Sequence, residues 1–131
     1  MNNQLNSLIT AWMEKGDHDL GSAKIIFQYI PEYSDTIAFH CQQAVEKYLK
    51  AALVFKELEF QKTHDLLYLL ELLSRTVPVD SSKFDKAIML NNFAVEIRYP
   101  NQTIHLTREE LVDAIKIAEE FRDFVVEFLQ L

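Results

Sequence analysis

The stretch from Ala38 to Phe55 limits what this chain can fold into more than any other. Ile37, Cys41, Ala44, Val45, Tyr48, Leu49, Ala52 and Phe55 recur at steps of three and four, the repeat of one face of an α-helix. Gln43, Glu46, Lys47 and Lys50 fall on the other face, and the spacing predicts that this face meets water. Glu46 precedes Lys50 by four residues, an orientation worth about 0.2–0.5 kcal/mol in a helix. Burial of the apolar stripe must therefore supply most of the stability. Small side chains at Cys41, Ala44, Ala51 and Ala52 admit close neighbours, while Tyr48 and Phe55 fill the space between layers. The pattern predicts the central helix of a bundle, capped by Ser34 or Asp35 and ending near Glu57.

The rest of the chain supplies helices to surround it. A first helix is predicted from about Ser7 to Ile30, closed by Pro31, with Leu8, Trp12, Leu20, Ala23, Phe27 and Ile30 apolar. Gly16 interrupts it and predicts a bend or a close contact. Lys62-Thr63-His64-Asp65-Leu66 opens a short third helix, with Thr63 as the expected cap and Asp65 at the positive end of the dipole. That helix runs to about Thr76 and is leucine on nearly all sides, so it must be buried on several. Asp80, Ser81 and Ser82 offer caps for a fourth helix carrying Phe84, Ile88, Phe93, Ala94 and Ile97. Arg98-Tyr99-Pro100 ends it, because proline disfavours helix in the residue before it. Thr107-Arg108-Glu109-Glu110 reads as a capping box, and a last helix runs from there almost to Leu131. The expected fold is all-α, a single helical domain over residues 1–131 built as an up-and-down bundle of four to five helices.

Composition narrows the functional classes. The 131 residues suffice for one core without disulfide or metal support. A single cysteine on the apolar face of the central helix reads as a small core residue. There is no charged-then-apolar leader and no apolar run near the roughly 20 residues of a membrane span, so a cytoplasmic protein without a membrane role is expected. The net charge of −7 opposes bulk electrostatic binding of nucleic acid. Its distribution matters, however: acids outnumber bases 4 to 2 over residues 1–34 and 7 to 3 over 107–131, while 77–106 holds 3 of each. A local anion site in the neutral middle is compatible with that balance.

Four histidines are the candidates for chemistry. No His-x-x-x-His, Cys-x-x-Cys or glycine-rich loop occurs, so no metal and no cofactor is expected. His18 lies in a polar stretch and is expected to be solvated. His40 could equally be a hydrogen-bonded packing residue or a ligand contact, and His64 reads as a helix-terminus residue. Arg98 and His105 differ, because a short connection joins the helix end that carries one to the helix start that carries the other. A permanent cation beside a titratable imidazole is what metal-free cleavage of RNA through its 2′-hydroxyl needs: the histidine moves protons and the arginine stabilises charge at phosphorus.

Taken together, Trp12, Asp19-Leu20, Ala23, the run Phe39-His40-Cys41-Gln42-Gln43-Ala44-Val45-Glu46-Lys47-Tyr48-Leu49-Lys50, Lys62-Thr63-His64-Asp65-Leu66 and Arg98-Tyr99-Pro100 resemble a HEPN domain over nearly the whole chain. The resemblance implies a homodimeric helical bundle with nucleotide or RNA chemistry, often beside a minimal nucleotidyltransferase partner in prokaryotic toxin–antitoxin or defence pairs. Catalytic members carry an arginine and a histidine separated by four to six residues, and Arg98 and His105 match the long end of that range. Those members usually place a polar residue after the arginine, whereas this chain has Tyr99 followed by Pro100, like the branch regarded as nucleotide-binding or partner proteins. Three functions follow as expectations. The first is a nucleotide- or RNA-binding protein using Arg98, Tyr99 and His105, with Tyr99 stacking on a base. The second is a metal-independent endoribonuclease using Arg98 and His105, and the third is a non-catalytic dimerisation module.

Overall fold

The computed structural model describes residues 3–97 and 105–129. Five helices follow in order: α1 (Asn3–Tyr29), α2 (Ser34–Phe55), α3 (Leu66–Ser74), α4 (Ser81–Ile97) and α5 (Arg108–Leu129). Among the described residues there is no strand, as the helical periodicity predicts. No described helix is long and apolar enough to cross a membrane. Contacts rise along α2 as they fall along α1, from His40–Asp19 to Lys50–Trp12, so the two helices run antiparallel. The pairs Phe27–Arg108 and Asp17–Arg122 set α5 antiparallel to α1 in the same way.

α2 occupies the centre and touches each of the other four helices. Ile37, Cys41, Ala44, Val45, Tyr48, Leu49 and Ala52 are buried in it as the spacing requires. Burial, followed by the charge of Glu119, pushes the Cys41 thiol up to about 12, consistent with a core residue. α3 buries Leu66, Leu69, Leu70 and Leu73 and closes the bundle against α2 and α4. α5 contributes Leu111, Ala114, Ile117, Ala118, Phe121 and Val125. The apolar Leu8 and Ile88 are exposed, and Ala87 and Leu90 are buried residues of α4.

The helix ends show local chemistry with two departures from expectation. The capping box holds: Thr107 N–H donates to Glu110 Oε1 (2.9 Å), and Glu110 N–H donates to Thr107 Oγ1 (3.1 Å). Asp80 Oδ1 accepts from Lys83 N–H at the start of α4 (3.0 Å). At α3 the cap is Asp65 rather than Thr63, with Asp65 Oδ1 accepting from Leu67 N–H (3.0 Å). Thr63 Oγ1 accepts from Asp65 N–H one step earlier (3.1 Å), so its hydroxyl braces the cap. At α2, Ser34 is already helical and Tyr33 is the capping position, with no side-chain bond. The buried Ser34 hydroxyl accepts instead from Leu106 N–H (3.4 Å), tying the start of α5 to the start of α2. α2 is closed just past Phe55 and Lys56 by Glu57, whose φ of 55° is left-handed. Leu58 N–H donates back to Leu53 O (2.9 Å) and Glu57 N–H to Val54 O (3.0 Å), the hydrogen-bond pair of a Schellman close.

Tyr48 locks three helices together. Its hydroxyl donates to Asp17 Oδ1 (2.7 Å), and Arg122 Nε donates to the same oxygen (2.8 Å), so α1, α2 and α5 meet at one carboxylate. The ring lies against Gly16, where an added Cβ would sit 2.5 Å from Tyr48 Cε1. The glycine that interrupts α1 thus makes room for the largest buried side chain of α2. Gly21, one turn further on, would meet nothing within 4 Å.

The two glycines therefore predict opposite responses. Gly16→Ala should destabilise by about 1–3 kcal/mol through overpacking. Gly21→Ala should stabilise by about 0.5–1 kcal/mol, because the helix gains propensity without a clash. Urea denaturation of the two variants checks both signs, and a destabilised Gly21→Ala would mean that α1 is rotated from its place here.

Candidate functional site

Arg98 and Tyr99 lie outside the described residues, and His105 lies within them. His105 is exposed and precedes α5 without belonging to it. The next residue, Leu106, is the one anchored to Ser34, and Thr107 begins the capping box. Arg108 follows with its guanidinium 4.8 Å from the centre of the Phe27 ring, a cation–π distance. His105 is therefore carried at the bundle end formed by the α1–α2 turn and the first turn of α5, on a backbone fixed on its C-terminal side. Among the described residues no carboxylate lies within ion-pair distance of Arg108, whereas Lys24, Lys83, Lys86 and Arg122 are each paired with one.

A second polar constellation lies along α2, where the sequence reading expected a wetted face. Gln43, Glu46 and Lys50 are buried, and Lys47 is largely so. The reason is α2's position: past its exposed first turns it has neighbours on nearly every side, so the polar residues of that stretch are enclosed and must find partners inside. Glu46 receives most of them. Lys50 Nζ donates to Oε2 (3.0 Å), and His64 places Nδ1 2.7 Å from Oε1. Lys47 Nζ stands 3.6 Å from Oε2 and donates to Gln43 Oε1 (2.9 Å). Gln43 Nε2 donates to Gln42 Oε1 (2.8 Å), and Gln42 Nε2 donates to His64 O (2.7 Å). Lys50 also faces the Trp12 ring at 5.3 Å. Among the described residues no buried side-chain nitrogen or oxygen lacks a partner.

Burial alone would raise the Glu46 carboxyl, but the hydrogen bonds from His64 and Lys50 and the charges of Lys47 and Lys50 outweigh it. The group is held below its ordinary value. The network extends to the α1 side, where His40 Nδ1 meets Asp19 Oδ1 at 2.9 Å and Lys47 stands 3.8 Å from Asp19 Oδ2. Two carboxylates, Asp19 and Glu46, thus face two ammonium groups, Lys47 and Lys50, with a histidine against each carboxylate. Both histidines are anchored residues. His40 fixes α1 to α2, and His64 fixes the connection before α3, while His18 is exposed. Among the described residues no group of three or more His, Cys, Asp or Glu is arranged to hold a metal ion. The sequence signal that could have exposed this network is the leucine-rich α3: a helix buried on several sides has to pack on the central helix too, which leaves α2 little surface for water.

The HEPN domain family model matches residues 9–129. A protein of Thermus thermophilus of known crystal structure is 26% identical, with a TM-score of 0.80 over 91% of this chain and 96% of its own. An archaeal HEPN homologue and a HEPN domain protein from Thermotoga maritima share the fold at 20% identity and TM-scores of 0.73, over 91% and 92% of this chain and 95% and 98% of theirs. No curated protein matches the sequence.

The Glu46 network sets the acid response. A carboxyl whose folded-state value is depressed adds stability above its unfolded value, 4.5 for glutamate, and loses that contribution as pH falls through the folded value. Asp17 is also held below its ordinary 3.8, since the hydrogen bonds from Arg122 and Tyr48 outweigh its burial. Stability should therefore fall as pH drops below about 4.5, and Glu46→Gln should flatten that decline. Glu46→Ala should cost about 3–5 kcal/mol at neutral pH, because it leaves the Lys50 charge buried without its partner. Denaturant titrations across the acid range read all three outcomes, and an unchanged acid slope in Glu46→Gln would remove Glu46 as its source.

Proposed function

Because the chain belongs to the HEPN domain family, we propose that it binds a nucleotide or RNA at the α4–α5 connection through Arg98, Tyr99 and His105. His105 and Arg98 meet the phosphate, and Tyr99 stacks on a base. The observation that carries this reading is the placement of His105: exposed, outside the helix, and on a segment anchored to Ser34 and closed by the Thr107 capping box. Groups that bind ligands are favoured on short loops held by a rigid scaffold. The histidines of the α2 network, by contrast, are engaged with carboxylates. In this reading the functional unit is a cytoplasmic homodimer, which sets two such segments near one axis and doubles the local positive charge of an acidic chain. It acts beside a nucleotidyltransferase in a prokaryotic toxin–antitoxin or defence pair, as the Arg98-Tyr99-Pro100 resemblance suggests.

A second reading is metal-independent cleavage of RNA, favoured by the spacing of Arg98 and His105 and the exposure of His105. In that reaction His105 takes the proton of a 2′-hydroxyl, the 2′-oxygen attacks phosphorus, and the bond to the 5′-oxygen breaks. The protonated His105 gives that proton to the departing 5′-oxygen, leaving a cyclic phosphate and a 5′-hydroxyl, with Arg98 stabilising the charge at phosphorus.

Calorimetry with nucleoside triphosphates and with single-stranded RNA tests the binding reading. Arg98→Ala and His105→Ala should each weaken binding about tenfold or more, as losses of charge-assisted hydrogen bonds do, with melting temperatures unchanged. Binding that survives both substitutions would place the ligand elsewhere. RNA left intact in EDTA by the wild-type protein would end the second reading alone.

A further inference from the structure

Arg108 stands three residues beyond His105, and the backbone between them is held in place. Leu106 N–H is tied to Ser34, Thr107 and Glu110 close the capping box, and Leu111 N–H donates to Thr107 O (3.0 Å). Three Cα steps keep His105 and Arg108 within about 11 Å of each other. The Arg108 guanidinium is set as well as its backbone, 4.8 Å from the centre of the Phe27 ring. Stacking occupies the face of a guanidinium and leaves its N–H edge open for in-plane, bidentate bonds to an anion. Among the described residues no hydrogen bond and no ion pair takes up that edge. Because α1 already orders the side chain, less rotamer freedom is lost when a ligand binds to it.

The acids of the same turn do not compete for that edge. The Glu110 carboxylate accepts from Thr107 N–H, and Glu109 and Asp113 leave α5 about 100° and 140° around its axis from Arg108. An imidazole and a preset guanidinium on four consecutive residues match a short anion whose phosphates follow one another directly. In RNA a sugar separates each phosphate from the next, whereas the phosphates of a nucleoside triphosphate share bridging oxygens. We propose that Arg108 is a specificity residue, taking the β- or γ-phosphate of a nucleoside triphosphate whose α-phosphate meets His105. This rests on the nucleotide reading above and narrows it to nucleotides with more than one phosphate.

Calorimetry on the whole protein in EDTA, with adenosine triphosphate and adenosine monophosphate as probes, tests the assignment. The wild type should bind the triphosphate about tenfold more tightly than the monophosphate. Arg108→Gln should abolish that preference by weakening the triphosphate alone, with a melting temperature close to that of wild type. Arg108→Lys should recover part of it, since lysine keeps the charge and loses the fork, and it carries the test if Arg108→Gln melts early. A wild type without preference, or an Arg108→Gln protein that keeps it, overturns the proposal. If His105→Ala still weakens both ligands in that case, the nucleotide reading stands without Arg108. Preference lost in Arg108→Gln, with binding untouched in His105→Ala, would support the Arg108 contact and overturn the place given to His105.

Discussion

The enclosure of α2 is the constraint on which the rest of this structure depends. A stretch of helix with neighbours on nearly every side has to satisfy each of its polar side chains inside the protein, because water cannot do it. The chain meets that demand at Glu46, whose carboxylate collects Lys50, Lys47, Gln43 and His64. Replacing such a network by apolar residues could leave a bundle as stable or more so, so its contribution is better sought in geometry. It specifies which turn of α2 faces the connection before α3, and at what height. Tyr48 and Asp17 play the same part toward α1 and α5, so the register of four elements is set by directed bonds as well as by close packing.

Much of this was legible in the residues. The steps of three and four through Ile37 to Ala52 located the buried stripe of α2, Thr107 and Glu110 announced the start of α5, and Gly16 announced a close contact. The apolar spacing could not say whether the remaining face of α2 was wet. Amphipathic periodicity assumes one buried side, and that assumption failed for Gln43, Glu46 and Lys50 once Trp12 of α1 and Phe60 and His64 of the connection before α3 came to lie against that face. The cap of α3 was misplaced by two residues because Thr63 and Asp65 both carry capping oxygens, and only the backbone decides which reaches an orphan N–H. At the candidate site, His105 read as a loop residue just before a capping box, and it lies outside α5 and is exposed.

Membership of the HEPN family leaves a division of labour along the bundle axis. The middle is held by charged hydrogen bonds and packed rings, with His40 and His64 committed to carboxylates. The end that carries His105 combines an anchored backbone, a preset arginine over Phe27 and the apolar residues of the α1–α2 turn. With rigidity below and exposed residues above, substitutions at the surface end seldom disturb the core.

The position of Cys41 has a consequence for how this protein could be watched. It is the chain's one thiol, it is fully shielded at the heart of α2, and the elevated value of its thiol leaves almost no thiolate to react. A thiol reagent added to the native protein can therefore reach it only through openings large enough to part α2 from its neighbours. The labelling rate then becomes a clock for global opening, set by the equilibrium or the rate of unfolding according to how fast the reagent competes with reclosure. Fraying at the helix ends and motion at the His105 end would be invisible to that clock, so one residue separates the breathing of the surface from the opening of the whole.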